Sequence, residues 1–257
     1  MTKINYLKEI AKSNKSFIIY KSDKGFDLYT DFSKKIILTN NNIKNFINKA
    51  RQFKSKKKET DLFIGFFGYE VLNNLIGIKI KKQKGLKFPK GIFYKPETKI
   101  KLQNKLDYKN LELINPKKSF KVSMNKASYK VIFDKFKKKI KSGETYQIKI
   151  CTKYNNKTKI NALDFFSRLV KTNMAPEAFM IKDKNYSIIS CSPENLITKK
   201  KNLITTKPIA GTLKKTKKLN KDKALTFFRK NLKETKEHNM IVDMERNDLS
   251  RICKPGS

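Results

Sequence analysis

Apolar and polar positions divide the first part of the chain into short, extended segments. Residues 16–20, 26–30 and 35–39 are β-branched and aromatic runs, separated by Asp23-Lys24-Gly25 and by the polar stretch 31–34, and they predict a three-stranded meander. Residues 42–53 then carry Ile43, Phe46, Ile47 and Ala50 at helical spacing, and the polar segment 54–60 closes that helix. A buried strand is expected over 62–67, running through Gly68-Tyr69-Glu70 into a short helix over 71–76. Further strands are expected at 91–95 and 99–102, and Asn115-Pro116-Lys117-Lys118 reads as a hinge.

Beyond the hinge the periodicities sharpen. Tyr129, Ile132, Phe133, Phe136 and Ile140 form one stripe of a helix over 125–141, and Gly143 stands where a left-handed C-terminal cap belongs. From 144 to 154 the period changes to two: Tyr146, Ile148, Ile150 and Tyr154 face one way, while Gln147, Lys149, Cys151 and Lys153 face the other. This predicts a long strand with a wetter second face. A helix over 162–171, hairpins of 178–182 with 186–190 and of 196–200 with 203–206, and helices over 219–232 and 234–248 complete the reading. No internal repeat is present.

Composition narrows the possible classes. With 257 residues, 38% of them hydrophobic, and with 18 Phe and 10 Tyr, the chain can bury a core and is not of the disordered type. No apolar run approaches the roughly 20 residues of a membrane span, and the N-terminus lacks a signal-peptide core, so a soluble, cytoplasmic protein is expected. Cys151, Cys191 and Cys253 are odd in number and widely spaced, which speaks against a disulfide framework or a zinc site.

The net charge of +39 raises the reading of a Lys-rich nucleic-acid-binding protein. Of the 61 basic residues, however, only Arg51, Arg168, Arg229, Arg246 and Arg251 are Arg, and the lysines are spread over the whole length. Lys, Asn and Ile share AT-rich codons, so base composition alone can raise the charge. A solvated Lys surface, without a specific nucleic-acid partner, fits this pattern better than a footprint clustered on one face.

Three clusters could carry chemistry. In Pro208-Ile209-Ala210-Gly211-Thr212, directly after a predicted strand, glycine permits close backbone approach and threonine adds a hydroxyl, so the turn can hold a carboxylate or phosphate; it can equally be only a turn. Glu234 and Glu237, in Glu234-Thr235-Lys236-Glu237-His238, are i,i+3 neighbours whose carboxylates can share a hard cation such as Mg²⁺. The bland alternative is that acidic residues favour the first turn of a helix. Asp243-Met244-Glu245-Arg246-Asn247-Asp248 can form a buried polar network or a solvated, salt-bridged helix end. His238, the single histidine, could act as a base or simply pack.

Taken in order, these runs resemble the chorismate-binding enzymes: anthranilate synthase component I, aminodeoxychorismate synthase component I and the isochorismate synthases. The resemblance rests on Gly143-Glu144-Thr145-Tyr146-Gln147, on Ser192-Pro193-Glu194-Asn195-Leu196, on the 208–212 turn and on the run KETKEHNMIVDMERNDLSR from Lys233 to Arg251. It is close from 125 to 257 and looser before, through Gly65-Phe66-Phe67-Gly68-Tyr69-Glu70. It implies an α+β fold, with antiparallel β-sheets and helices packed outside, and two regions: an N-terminal one over 1–115 and the first part of a chorismate-binding domain over 120–257.

The same resemblance assigns roles. It implies that Glu237 is a Mg²⁺ ligand with Glu234 beside it, and that Gly211 and Thr212 contact a chorismate carboxylate. Isochorismate synthases place a Lys at the position of Gln147 to activate water, so Gln147 points to ammonia as the nucleophile. Many aminodeoxychorismate synthases carry a nucleophilic Lys at the position of Ala210, whereas anthranilate synthases carry Ala. The implied activity is Mg²⁺-dependent conversion of chorismate and ammonia, the latter from a glutamine amidotransferase subunit, to anthranilate and pyruvate, with aminodeoxychorismate synthesis as the alternative. Asn173-Met174-Ala175-Pro176 looks as much like the second branch, and the Leu-rich Glu-Ser motif of the tryptophan feedback site is not found. Family members continue past the R-N-D-L motif with further site residues, so the chain resembles the N-terminal part of such an enzyme, expected to be inactive alone.

Overall fold

β-Branched and aromatic runs become a sheet only where another segment supplies the facing hydrogen bonds. The computed structural model, which describes residues 3–13, 15–52, 58–78, 88–102, 120–156, 158, 160–173 and 175–257, shows which runs find one. Five strands, β1 (Phe17–Ser22), β2 (Gly25–Ile37), β3 (Ile64–Phe67), β4 (Gly91–Leu102) and β7 (Glu177–Lys182), join β8 (Ser187–Ser192) in one antiparallel sheet. The order is β3-β4-β2-β1-β7-β8, so β7, far along the chain, closes on β1 through pairs such as Ile18 with Ile181. Two short ladders stand apart: β5 (Lys121–Val122) with β6 (Tyr154–Asn155), and β9 (Thr198–Lys200) with β10 (Leu203–Thr205).

The core forms on both faces of the six-stranded sheet. One face gathers Ile18, Tyr29, Ile92, Tyr94 and Ile181, with Phe66, Phe179 and Ile188 packed against them. On the other, Ile19, Leu28 and Met180 are buried cross-strand neighbours. Helices cover the sheet with narrow apolar stripes: Leu7 and Ile10 of α1 (Lys3–Lys12), Ile43 and Phe46 of α2 (Ile43–Gln52), Val71 of α3 (Tyr69–Leu75), and Phe166 and Val170 of α5 (Ala162–Asn173) are all buried. Phe166 meets Phe26 edge-on at 6.0 Å. The expected α+β class, with antiparallel sheets and helices outside, is what the chain adopts.

Contacts group the chain into two units, Met1–Asp107 with Phe166–Ser257, and Tyr108–Phe165. The first contains the six-stranded sheet, the β9–β10 hairpin, α6 (Lys221–Lys230) and α7 (Leu232–Ser250). The second contains α4 (Lys126–Lys141) and the β5–β6 ladder. The expected regions 1–115 and 120–257 follow sequence order, whereas β7 and β8 belong to the same sheet as β1. The hinge at 115–118 lies outside the described residues, as does Met174.

Several expectations are corrected. The turn expected at 31–34 is a bulge inside the 13-residue β2: the register shifts between Phe32 and Lys34, and Asp31 takes φ 52°. The two strands expected over 91–102 are the single β4, whose Pro96 pairs with Phe32 beside that bulge, where a missing N–H is tolerated. Polar side chains interrupted the pattern, but the backbone ladder continues because side chains do not make it. The long strand expected over 144–154 is reduced to Tyr154–Asn155, since period-two alternation does not supply a partner and only these residues pair, with Lys121–Val122. Helix α1 was not foreseen; its i,i+3 pair Leu7 and Ile10 was too short a signal among lysines.

Candidate functional site

Two of the three clusters meet in the first unit, and the local chemistry explains how. Asn231 caps α7 by accepting the Glu234 N–H at 3.3 Å, so Glu234 occupies the first turn of the helix. There its carboxylate is favoured by the positive end of the dipole and lies 3.3 Å from the Lys233 ammonium. The loop at 208–212 leads Gly211 past this carboxylate at φ 76°. A Cβ at position 211 would lie 2.5 Å from Glu234 Oε2 and 2.8 Å from Phe228 Cε1, so only glycine fits both the space and the left-handed backbone. Ala210 and Thr212 flank this contact, and Glu237 stands one turn further along α7, partly buried, followed by His238.

The same loop is tied down from two other directions. The Ile209 N–H donates to Glu194 Oε1 at 3.0 Å, which joins the Ser192-Pro193-Glu194 run to the loop. Just before the loop, the Thr206 hydroxyl donates to Glu245 of α7. Glu194 and Glu245 were therefore missed as loop supports. Glu194 was present as part of a motif and Glu245 lay in the third cluster, but spacing alone does not tell which carboxylate reaches back across the fold. The rest of the third cluster follows the solvated reading: Arg246 pairs with Asp243 at 2.7 Å with both side chains exposed. Asn195 in turn donates to Glu177 at 3.0 Å, whose other oxygen accepts the Tyr20 hydroxyl at 2.6 Å. Burial and the Glu177 carboxylate push the Tyr20 phenol up to about 12.

Gln147 belongs to the other unit. It is exposed between α4 and β6, and its main-chain carbonyl accepts the Thr145 hydroxyl at 3.2 Å. Gly143 takes φ 75° just after α4, as the sequence led one to expect.

The glycine turn lies against the Glu234 carboxylate, with Glu237 one turn further along the same helix, and such a pairing can serve a small, multiply charged anion: backbone donors can meet one negative group while a hard cation on a carboxylate meets another. Among the described residues no group of three or more His, Cys, Asp or Glu side chains is placed to hold a metal ion. By type alone, Glu234 and Glu237 are the donors Mg²⁺ takes, since it is held by one or two carboxylates with water and substrate oxygens completing its shell. No described helix is long and apolar enough to cross a membrane.

The chorismate binding enzyme family model matches residues 5–257. The chain belongs to the chorismate-binding enzyme family. Its relatives include anthranilate synthase component 1 of Buchnera aphidicola subsp. Rhopalosiphum maidis, 30% identical over 97% of this chain and 56% of that protein. Aminodeoxychorismate synthase component 1 of Bacillus subtilis is 33% identical over 54% of this chain and 30% of that protein. The fold matches the crystal structure of anthranilate synthase component I from Streptococcus pneumoniae TIGR4, with a TM-score of 0.62 and 21% identity, over 93% of this chain and 60% of that one. The matched stretches thus cover only 30% to 60% of these three proteins, within a family that includes the anthranilate and aminodeoxychorismate synthases.

Proposed function

We propose that this chain is a soluble, cytoplasmic chorismate-aminating synthase subunit, most like anthranilate synthase component I. The contact between Gly211 and Glu234 supports this reading most directly, because it brings the anion-holding turn to the cation-holding helix. Gly211 and Thr212 hold one chorismate carboxylate on the turn. Glu237, with Glu234 beside it, holds Mg²⁺, which supplies positive charge toward the substrate's anionic groups and its leaving hydroxyl. Gln147, uncharged, leaves ammonia as the nucleophile, delivered by a glutamine amidotransferase subunit. Small Ala210 leaves room for ammonia where a Lys would itself attack. Anthranilate and pyruvate are the expected products. Aminodeoxychorismate is the second reading, supported by the 33% identity to the Bacillus subtilis enzyme.

Because the matched stretch spans 60% of the solved anthranilate synthase component I, we expect the 257 residues alone to bind chorismate without turning it over. Equilibrium dialysis of chorismate with and without Mg²⁺ tests the binding. Gly211→Ala, which pushes into Glu234, and Glu237→Gln are each expected to weaken Mg²⁺-dependent binding about tenfold or more, the loss of one charge-assisted contact. Binding indifferent to Mg²⁺ and to both substitutions would refute the site. Anthranilate formed from chorismate and ammonium by the chain alone would refute the expected inactivity. Tight DNA or RNA binding surviving physiological salt would instead favour the nucleic-acid reading.

A further inference from the structure

A cavity lies in the first unit, on the six-stranded sheet, and shares no lining residue with the loop at 208–212. Its volume is about 380 Å³, within the range of small-molecule sites. Ile10, Phe32 and Tyr94 supply apolar and aromatic wall, and Lys15, Lys35 and Lys184 supply three ammonium groups. Beside it Asp183, 2% exposed, accepts the Tyr94 hydroxyl at 2.5 Å, the Ser16 hydroxyl at 3.1 Å and the Lys184 N–H at 2.7 Å, and pairs with the Lys35 ammonium at 2.6 Å. These four donors occupy about all the acceptor capacity of a carboxylate and balance the Lys35 charge. Asp31 is the one carboxylate that lines the cavity with Lys15 and Lys184, both exposed. Asp31 itself holds φ 52° at the β2 bulge, and its carboxylate accepts the Thr30 hydroxyl at 2.9 Å. Bulges and left-handed non-glycine residues cluster where a sheet is shaped for a ligand.

We propose that this cavity is a binding site for a small organic anion, with an apolar or planar body against Phe32 and Ile10 and its carboxylate or phosphate on Lys15 and Lys184. A cation is disfavoured, because the one buried carboxylate is already saturated and the remaining charge is mainly positive. Equilibrium dialysis of the 257-residue protein with benzoate and phenyl phosphate tests the proposal, with benzyl alcohol and inorganic phosphate as partial ligands. Saturable one-to-one binding of at least one anion is expected. It should weaken about tenfold or more in Lys15→Gln/Lys184→Gln, whose exposed side chains leave the fold intact, and stay unchanged in Glu234→Gln. Binding carried equally by benzyl alcohol, by inorganic phosphate, or by the double Lys variant would overturn it, as would no binding of either anion.

Discussion

The six-stranded sheet and the helices α4, α6 and α7 are made from the same residue types and bury them in opposite ways. In the sheet Phe17, Ile19 and Leu28 are fully buried and α5 adds Phe166, also at 0% exposure. The three helices total 45 residues, and none of these is buried among the described residues. Val131 on α4, Phe227 on α6 and Leu232 on α7 are exposed. These helices are closed instead by caps: Asn125 and Ser128 form a reciprocal capping box on α4, and Asn220 and Asn231 cap α6 and α7. The difference shows that an amphipathic stripe states what a helix can bury. Whether it buries anything depends on which surface the fold sets against it.

This contrast is broken most sharply by truncating one aromatic residue on each side. Phe166→Ala is expected to cost about 3–5 kcal/mol in urea unfolding, the range for removing a buried aromatic, whereas Phe227→Ala should stay within about 0.5 kcal/mol. Equal losses would show that α6 is packed in solution. Next in size is Asp183→Asn, expected to cost about 2–4 kcal/mol because it leaves Lys35 unpaired and weakens the Tyr94 bond.

The pH dependence of Asp183 sharpens that second case. Burial opposes its ionisation, but the Lys35 ammonium, the Tyr94 hydroxyl and the Lys184 N–H outweigh it and hold the carboxyl well below the usual range. Its folded value is therefore depressed. The stability it contributes is full above an unfolded value of about 4 and is lost as pH falls through the folded one, so the wild-type advantage over Asp183→Asn should shrink in acid. An advantage independent of pH would show that the carboxylate charge contributes nothing. The smallest effect is expected for Asn125→Ala, about 1 kcal/mol, seen as faster amide exchange confined to α4 with the sheet amides unchanged.

Much of the fold was legible because helices and tight turns are written in local spacing, whether or not the face they present is buried. The spacing of Ile43 and Phe46 marks α2, the Tyr129 to Ile140 stripe marks α4, and Asp183-Lys184-Asn185 marks the turn between β7 and β8. The candidate site was half legible: Gly211, Glu234 and Glu237 could be named from turn chemistry and i,i+3 spacing, and their family roles from motif order. That Glu194 reaches Ile209 and Glu245 reaches Thr206 could not be named, because neither contact has a sequence period.

What the sequence by itself determined is every helix but α1, most strand cores, the turns that need glycine, and the family. These follow from forces within a few residues: helical spacing, caps and backbone sterics. Tertiary structure alone decided that β7 closes on β1, that 31–34 is a bulge within one strand, and that Gly211 abuts Glu234. It also decided that 144–153 forms no ladder while Tyr154–Asn155 does. Each of these depends on a hydrogen-bonding or packing partner distant in the chain, and a segment carries no record of which distant segment will supply it.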